Sequence, residues 1–172
     1  MKYAWLLALV TACSYVSIDP GHRGLRDHEL LPEGRYRIGA FCFAHRCDRI
    51  DDFDVTFSTE REHAVRAVSS EGLLVEVDFT LIHRPILMEL YDLRAQIGGT
   101  NYAQYVRDAI VPEARIAAAA VLAQHSVLDL AKSKELIEDQ IENELRKRVH
   151  DQHVEISSIT IEHLSSPALI GH

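Results

Sequence analysis

The stretch that most limits how this chain can fold is Ser70 to Pro85, S-E-G-L-L-V-E-V-D-F-T-L-I-H-R-P. Val75, Val77, Phe79 and Leu81 alternate with Glu76, Asp78 and Thr80, the period of a strand with one buried face. Glu71-Gly72 supplies a turn before it, and Pro85 lacks the N–H that further pairing requires. A long helical pattern follows, and then one last strand. Nothing in the strand is chemically reactive, so the sequence speaks to architecture, and a binding or scaffolding domain is expected.

Ser14 to Leu31 reads as loop, with Asp19-Pro20-Gly21 as a turn. Strands are predicted over Arg35 to Phe43 and Arg49 to Phe57, joined by a hairpin at Ala44 to Asp48. Ala64 to Val68 and Leu73 to Arg84 complete an antiparallel meander around Ser69 to Gly72. From Ile86 the period changes. Leu87, Leu90 and Tyr91 fall at helical spacing, and Gly98-Gly99 interrupts. Tyr102, Tyr105, Val106, Ala109 and Ile110 then share one helical face, and Pro112 suits the first turn of a further helix through Ala123. A longer amphipathic helix is expected over Lys132 to His150, with Ile137, Ile141, Leu145 and Val149 as its apolar stripe. Val154 and Ile156 are out of step with Ile159 and Ile161, which predicts a bulge near Ser157-Ser158 in the closing strand. The fold class is α+β: an antiparallel N-terminal sheet, then helices, then a returning C-terminal strand that pairs with that sheet.

The chain has 172 residues, 47% hydrophobic and 26% charged, enough for one domain with a sizeable core. Its formal net charge of -8 opposes nucleic-acid binding, which needs clustered Lys and Arg, and leaves only local basic patches such as Arg35 and Arg37. Met1-Lys2 followed by an apolar run from Tyr3 to Ala12 is a leader, too short to cross a bilayer as a helix. Leu9-Val10-Thr11-Ala12-Cys13 resembles the bacterial lipobox. That resemblance implies a signal peptide over residues 1–12 and a lipid on Cys13, and Ser14 after the cysteine favours the outer over the inner membrane. The expected division is then a tether and turn segment over 13–34, the domain over 35–168 and a tail over 169–172.

Several short motifs occur in a familiar order: V-S-I-D-P-G-H-R-G from Val16 to Gly24, Leu31-Pro32-Glu33-Gly34, and the strand ending at Leu81. Ile97-Gly98 with Tyr102, Ile110 to Pro112 with Arg115, and V-E-I-S-S-I-T-I-E-H-L-S-S-P from Val154 to Pro167 follow. This order resembles the domain shared by stomatin, prohibitin and flotillin (SPFH, band 7). The resemblance implies a membrane-associated scaffold without enzymatic activity that forms homo-oligomers and organises membrane proteins, often beside a membrane protease. In such proteins a hydrophobic segment usually provides membrane attachment, and here the lipid on Cys13 would take that role.

Candidate chemistry is sparse. Cys42, His45 and Cys47 form C-x-x-H-x-C but lack a matching fourth zinc donor, so no metal is expected. An exported chain could hold a Cys42 to Cys47 disulfide or two free thiols, and the spacing leaves both open. His150 and His153 read as surface histidines, and Asp51, Asp52 and Asp54 as the polar face and turn of a strand. No G-x-S-x-G, H-E-x-x-H or glycine-rich phosphate loop is present, so neither catalytic residues nor a cofactor are expected. The apolar stripes through Tyr102 and Tyr105 and through Ile137, Ile141 and Leu145 are expected to exceed what one small sheet covers, which makes them the expected interface between copies.

Overall fold

A computed structural model of the chain describes residues 14–38 and 49–166. The chain forms two compact units that divide between Val55 and Thr56. In the first unit, β1 (Ser14–Ile18) pairs antiparallel with β4 (Gly34–Ile38), while β2 (His22–Arg26) lies between β3 (Glu29–Leu31) and β5 (Ile50–Asp54). Ser14 to Leu31 is thus three short strands and not the expected loop. Their brevity hid them, because two or three alternations between turn residues give little periodic signal. Pro20 and Gly21 occupy the centre of a tight turn in which the His22 N–H donates to Asp19 O at 3.0 Å. Gly21 has φ 85°, the conformation that reserves this position of a type II turn for glycine.

Gly24 serves a second purpose. A Cβ there would collide with the Ile18 side chain and stand 2.9 Å from Ile50 Cγ2, so only glycine lets these two close over β2. Among the described residues, Ile18, Leu25, Leu31 and Phe53 are the buried apolar side chains of this unit. β5 ends at Asp54, so Val55 and Phe57 do not extend it as expected, and Phe57 is exposed. The hairpin predicted at Ala44 to Asp48 lies outside the described residues.

The second unit is a three-stranded antiparallel sheet, β6 (Ser58–Val68), β7 (Leu74–Pro85) and β8 (Val154–Ser165), in the order β6-β7-β8. The central strand is β7. Val75, Val77, Phe79, Leu81, His83 and Pro85 alternate inward and are buried. β8 returns from the far end of the sequence to pair with β7, as its pattern predicts. Its register slips between Ile82/His83 and between Asp78/Phe79, leaving Ser157 and Glu162 as extra residues. Because each extra residue resets a two-residue period, Val154, Ile156, Ile159 and Ile161 all face the core.

Helices cover the inner face. A 3-10 turn (Leu87–Glu89) leads into α1 (Leu90–Ile97), which stops at Gly98, φ 60°. Leu90 and Leu93 are the residues α1 buries, whereas Leu87 and Tyr91 of the expected face are exposed. Asn101 caps α2 (Tyr102–Tyr105) by accepting from the Gln104 N–H at 2.8 Å. A wider π turn over Val106–Ile110 joins α2 directly to α3 (Val111–Leu122), and the Val111 N–H reaches Val106 O across it. Pro112 therefore sits inside one continuous helix and does not begin a new one. In a regular helix its ring would strike the carbonyl four residues back, and the π turn widens the helix at that point. Ser126 caps α4 (Val127–Lys132), and α5 (Lys134–Arg148) follows after a break at Ser133. Ala114, Ala117 and Ala118 are fully buried, and α3 packs against both β6 and α5.

His83 is the polar intruder in this core. It is 1% exposed, its Nδ1 lies 2.9 Å from the Tyr102 hydroxyl, and its Nε2 has no partner. Burial pushes the imidazole pKa down from 6.5 to about 4. A proton therefore prefers the unfolded chain. The stability this represents is present in full above about pH 6.5 and is lost as pH falls toward about 4, on the order of 3 kcal/mol in all. We predict that urea titrations between about pH 7 and about pH 4.5 show wild type losing stability with a slope near one proton, and that His83→Phe flattens that slope. An unchanged slope in the variant would place the titration elsewhere.

Ile137, Ile141 and Leu145 have no exposed surface. A charge at Ile141 is expected to cost about 4 kcal/mol or more, a large part of the stability of an ordinary domain, while Leu136→Glu on the exposed side of α5 stays within about 0.5 kcal/mol. Circular dichroism melts of the two variants check this.

Candidate interaction surface

The outer face of the β6-β7-β8 sheet is a polar lattice. Arg66 pairs with Glu76 at 2.7 Å and Arg84 with Glu155 at 2.8 Å, while Thr80 donates to Glu162. Asp78 accepts the Ala64 N–H at 2.7 Å, with His63 at 3.6 Å. The Ala64 hydrogen bond is the main cause holding the Asp78 carboxyl below its usual range, against a smaller opposing effect of desolvation, and the nearby His63 and His163 add to the lowering. Exposed pairs of this kind contribute little each, and the face reads as solvated.

The two margins of the sheet differ. β8 is sealed by α5: Glu138 accepts the Ile161 N–H at 2.6 Å, and the Arg146 guanidinium donates to Ile156 O at 2.9 Å. These side chains occupy groups that a further strand would need. No strand pairs with the outer edge of β6 among the described residues. Alongside it runs a groove of 490 Å³, lined by His63, Ala64, Val65 and Arg66 of β6 and by Arg115, Ile116 and Ala119 of α3. Ile116 is 48% exposed at its rim, and Arg115 is tied to Glu62 at 2.5 Å. The bulge between Glu62 and Val65 sets Ala64 at φ 53°, and Asp78 fastens it. This margin is the candidate contact surface: an edge with a small-residue groove suits an extended segment or a neighbour's apolar side chain.

The interface expected from the two apolar stripes has to be revised. Tyr105, Ile137, Ile141 and Leu145 are buried within their own chain and Tyr102 is half-buried, bonded to His83. Tyr105 donates to Gln152, which also receives Gln96 Nε2 at 2.8 Å, and desolvation raises the Tyr105 pKa. One sheet face does cover both stripes, because α3 is alanine-rich and slim enough to admit α5 beside it. Exposed apolar side chains stand elsewhere, at Val68, Leu73 and Leu74 on the β6–β7 hairpin and at Met88, which is 82% exposed.

Other anticipated sites separate. His150 contacts Asp151 at 2.9 Å and His153 contacts Glu89 at 2.9 Å, so the two histidines do not converge. Asp52, which pairs with His22, and Asp54 lie on the exposed side of β5, whereas Asp51, in contact with Arg49, alternates to the side of buried Phe53 and so does not belong to the expected polar side. Among the described residues no group of three potential ligands could hold a metal. Cys13, Cys42, His45 and Cys47 lie outside the described residues. Sequence reasoning missed the β6 edge, since Ser58 to His63 is polar on both faces. It also passed over His83, although His83 continues the alternation that begins at Val75.

No curated protein matches this chain. The model of the SPFH domain / Band 7 family matches residues 16–170, nearly the whole sequence and spanning the strands of both units. The chain therefore belongs to the SPFH domain / Band 7 family, generally non-enzymatic scaffolds associated with membranes and membrane proteins.

Proposed function

We propose that this chain is a lipid-anchored scaffold of the cell envelope that self-associates and organises membrane proteins, a membrane protease among them. The observation that carries the reading is the family match over residues 16–170. Attachment through an acylated Cys13 is supported by the apolar leader from Tyr3 to Ala12 and the Leu9 to Ala12 pattern before it. Among the described residues no helix is long and apolar enough to cross a membrane. Ser14 after the cysteine favours the outer membrane. An exported domain would also oxidise Cys42 and Cys47 to a disulfide if their hairpin brings them close enough.

Self-association, in this reading, runs along the β6–α3 margin, since the stripes from Tyr102 to Ile110 and along α5 are spent inside the unit. The same burial favours a second reading, a monomeric envelope lipoprotein that keeps the domain as an adaptor without assembling. A lipid anchor assists the first by confining copies to a plane and raising their effective concentration.

Mass spectrometry of protein made in a bacterium is expected to show an N-terminus at Cys13 with acyl chains, and Cys13→Ala is expected to block the processing. An intact Met1 on native protein contradicts lipidation. Crosslinking on membranes is expected to give a ladder of oligomers that Ile116→Glu diminishes while thermal stability stays within about 0.5 kcal/mol, because Ile116 is exposed. Monomers alone at native expression would establish the adaptor reading.

A further inference from the structure

The edge strand β6 sorts its charges by side. Among the described residues its backbone bonds only to β7 and, at Ala64, to the Asp78 carboxylate, so the N–H and C=O groups that point away from β7 are open to a further strand. Directly opposed residues of an antiparallel pair share a side of the sheet. The register Arg61 to Thr80 and Arg66 to Glu76 puts both arginines on the outer face, and His63 joins them there beside Asp78. Glu60 and Glu62, the carboxylates of β6, stand opposite Leu81 and Phe79 on the other side. The outer row of β6 is therefore basic. Its acidic partners all lie inboard, Glu76 at 2.7 Å and Asp78 at 3.6 Å on β7 and Glu162 at 4.0 Å on β8. They are also the more covered members of the pairs: Glu76 is 37% and Asp78 29% exposed, against 72% for Arg66 and 70% for His63. On its inner side the same edge faces α3, where Ile116 and Ala119 wall the groove of 490 Å³.

We infer that the outer edge of β6 receives a short extended segment of a partner protein, acidic on the side of Arg61 and Arg66 and apolar on the side of Ile116 and Ala119. The inference rests on the reading of the β6–α3 margin as the contact surface, and it adds the chemistry of what that margin takes. β7 supplies the precedent within the unit. Its Glu76 and Asp78 alternate with Val75 and Val77, and a strand of that pattern already fills the inboard edge of β6. The same alternation on the outboard edge would give Arg61 and Arg66 a carboxylate on each flank, and a guanidinium has donors enough to serve both. A basic segment would meet like charge directly opposite, and an uncharged one would gain the backbone bonds without the charge pairing. The bulge between Glu62 and Val65 interrupts the edge, which keeps the added strand short.

The probe is a fluorescein-labelled peptide, T-V-E-V-D-V-T, titrated into the full chain in detergent and read by fluorescence anisotropy. Its controls are T-V-K-V-K-V-T and two copies of the acidic peptide, N-methylated in one or the other set of alternate amides. Expected is binding of the acidic peptide, weaker by about tenfold or more for the lysine peptide and reduced by Arg61→Gln with Arg66→Gln, because exposed charge pairs are then reversed or lost. One N-methylated copy is expected to lose binding and the other to keep it, since only alternate amides of an added strand face β6. No binding of the acidic peptide, equal binding of the lysine peptide, or indifference to both N-methylated sets overturns the inference. The crosslinked ladder separates it from the reading beneath it. A ladder lost in Ile116→Glu without peptide binding leaves the margin to copies of the chain and overturns the inference. Peptide bound as expected beside a ladder indifferent to Ile116→Glu upholds the inference and moves self-association elsewhere.

Discussion

The second unit depends on one requirement, that β7 be paired along both edges and covered on one face. Its inner residues from Val75 to Leu81 are almost without exposure, and a strand so buried cannot leave its own N–H and C=O groups unpaired. β6 satisfies one edge through a short hairpin. The other edge waits until β8, after all the helices have been laid across the sheet. Closing that long gap costs chain entropy, which grows only slowly with loop length, and the intervening helices recover it by burying Val106, Ile110, Ile137, Ile141 and Leu145. The order of strand, helices and returning strand is thus one solution to one pairing problem.

From that requirement the unequal margins follow. β8 arrives last beside α5, and Glu138 and Arg146 reach over to occupy its outer backbone groups. Among the described residues no strand pairs with the outer edge of β6. It carries charges and a bulge, devices that discourage indiscriminate pairing while leaving a groove against α3. Any contact between copies, or with another protein, meets a sealed side and an accessible one.

The parts of this fold that the sequence disclosed were those with enough length to show a period. β7, the face from Tyr102 to Ile110 and the stripe of α5 each run over two or more turns or several alternations. The three-residue step from Ile156 to Ile159, one residue out of the strand's period, was sufficient to reveal a bulge at Ser157. The short strands of the first unit gave no such signal, and Pro112 suggested a new helix because sequence alone does not show that a π turn can absorb it. The candidate surface was the least legible. Whether Ile141 faces a neighbour or its own sheet depends on the bulk of what packs beside it, and the alanines of α3 settle that only once both helices are in place.

Family membership makes this a membrane-associated scaffold, and on the reading proposed above the β6 margin of the sheet unit is where it meets protein. Hydrogen exchange of the acylated protein on vesicles, compared with the same protein in detergent, tests that placement most directly. The account predicts equal and strong protection of β7, β8 and α5 in both settings, with gains in the second unit on the vesicles confined to the β6 edge. Faster exchange in β8 than in β7, or protection gained along α5 on the membrane, would contradict it.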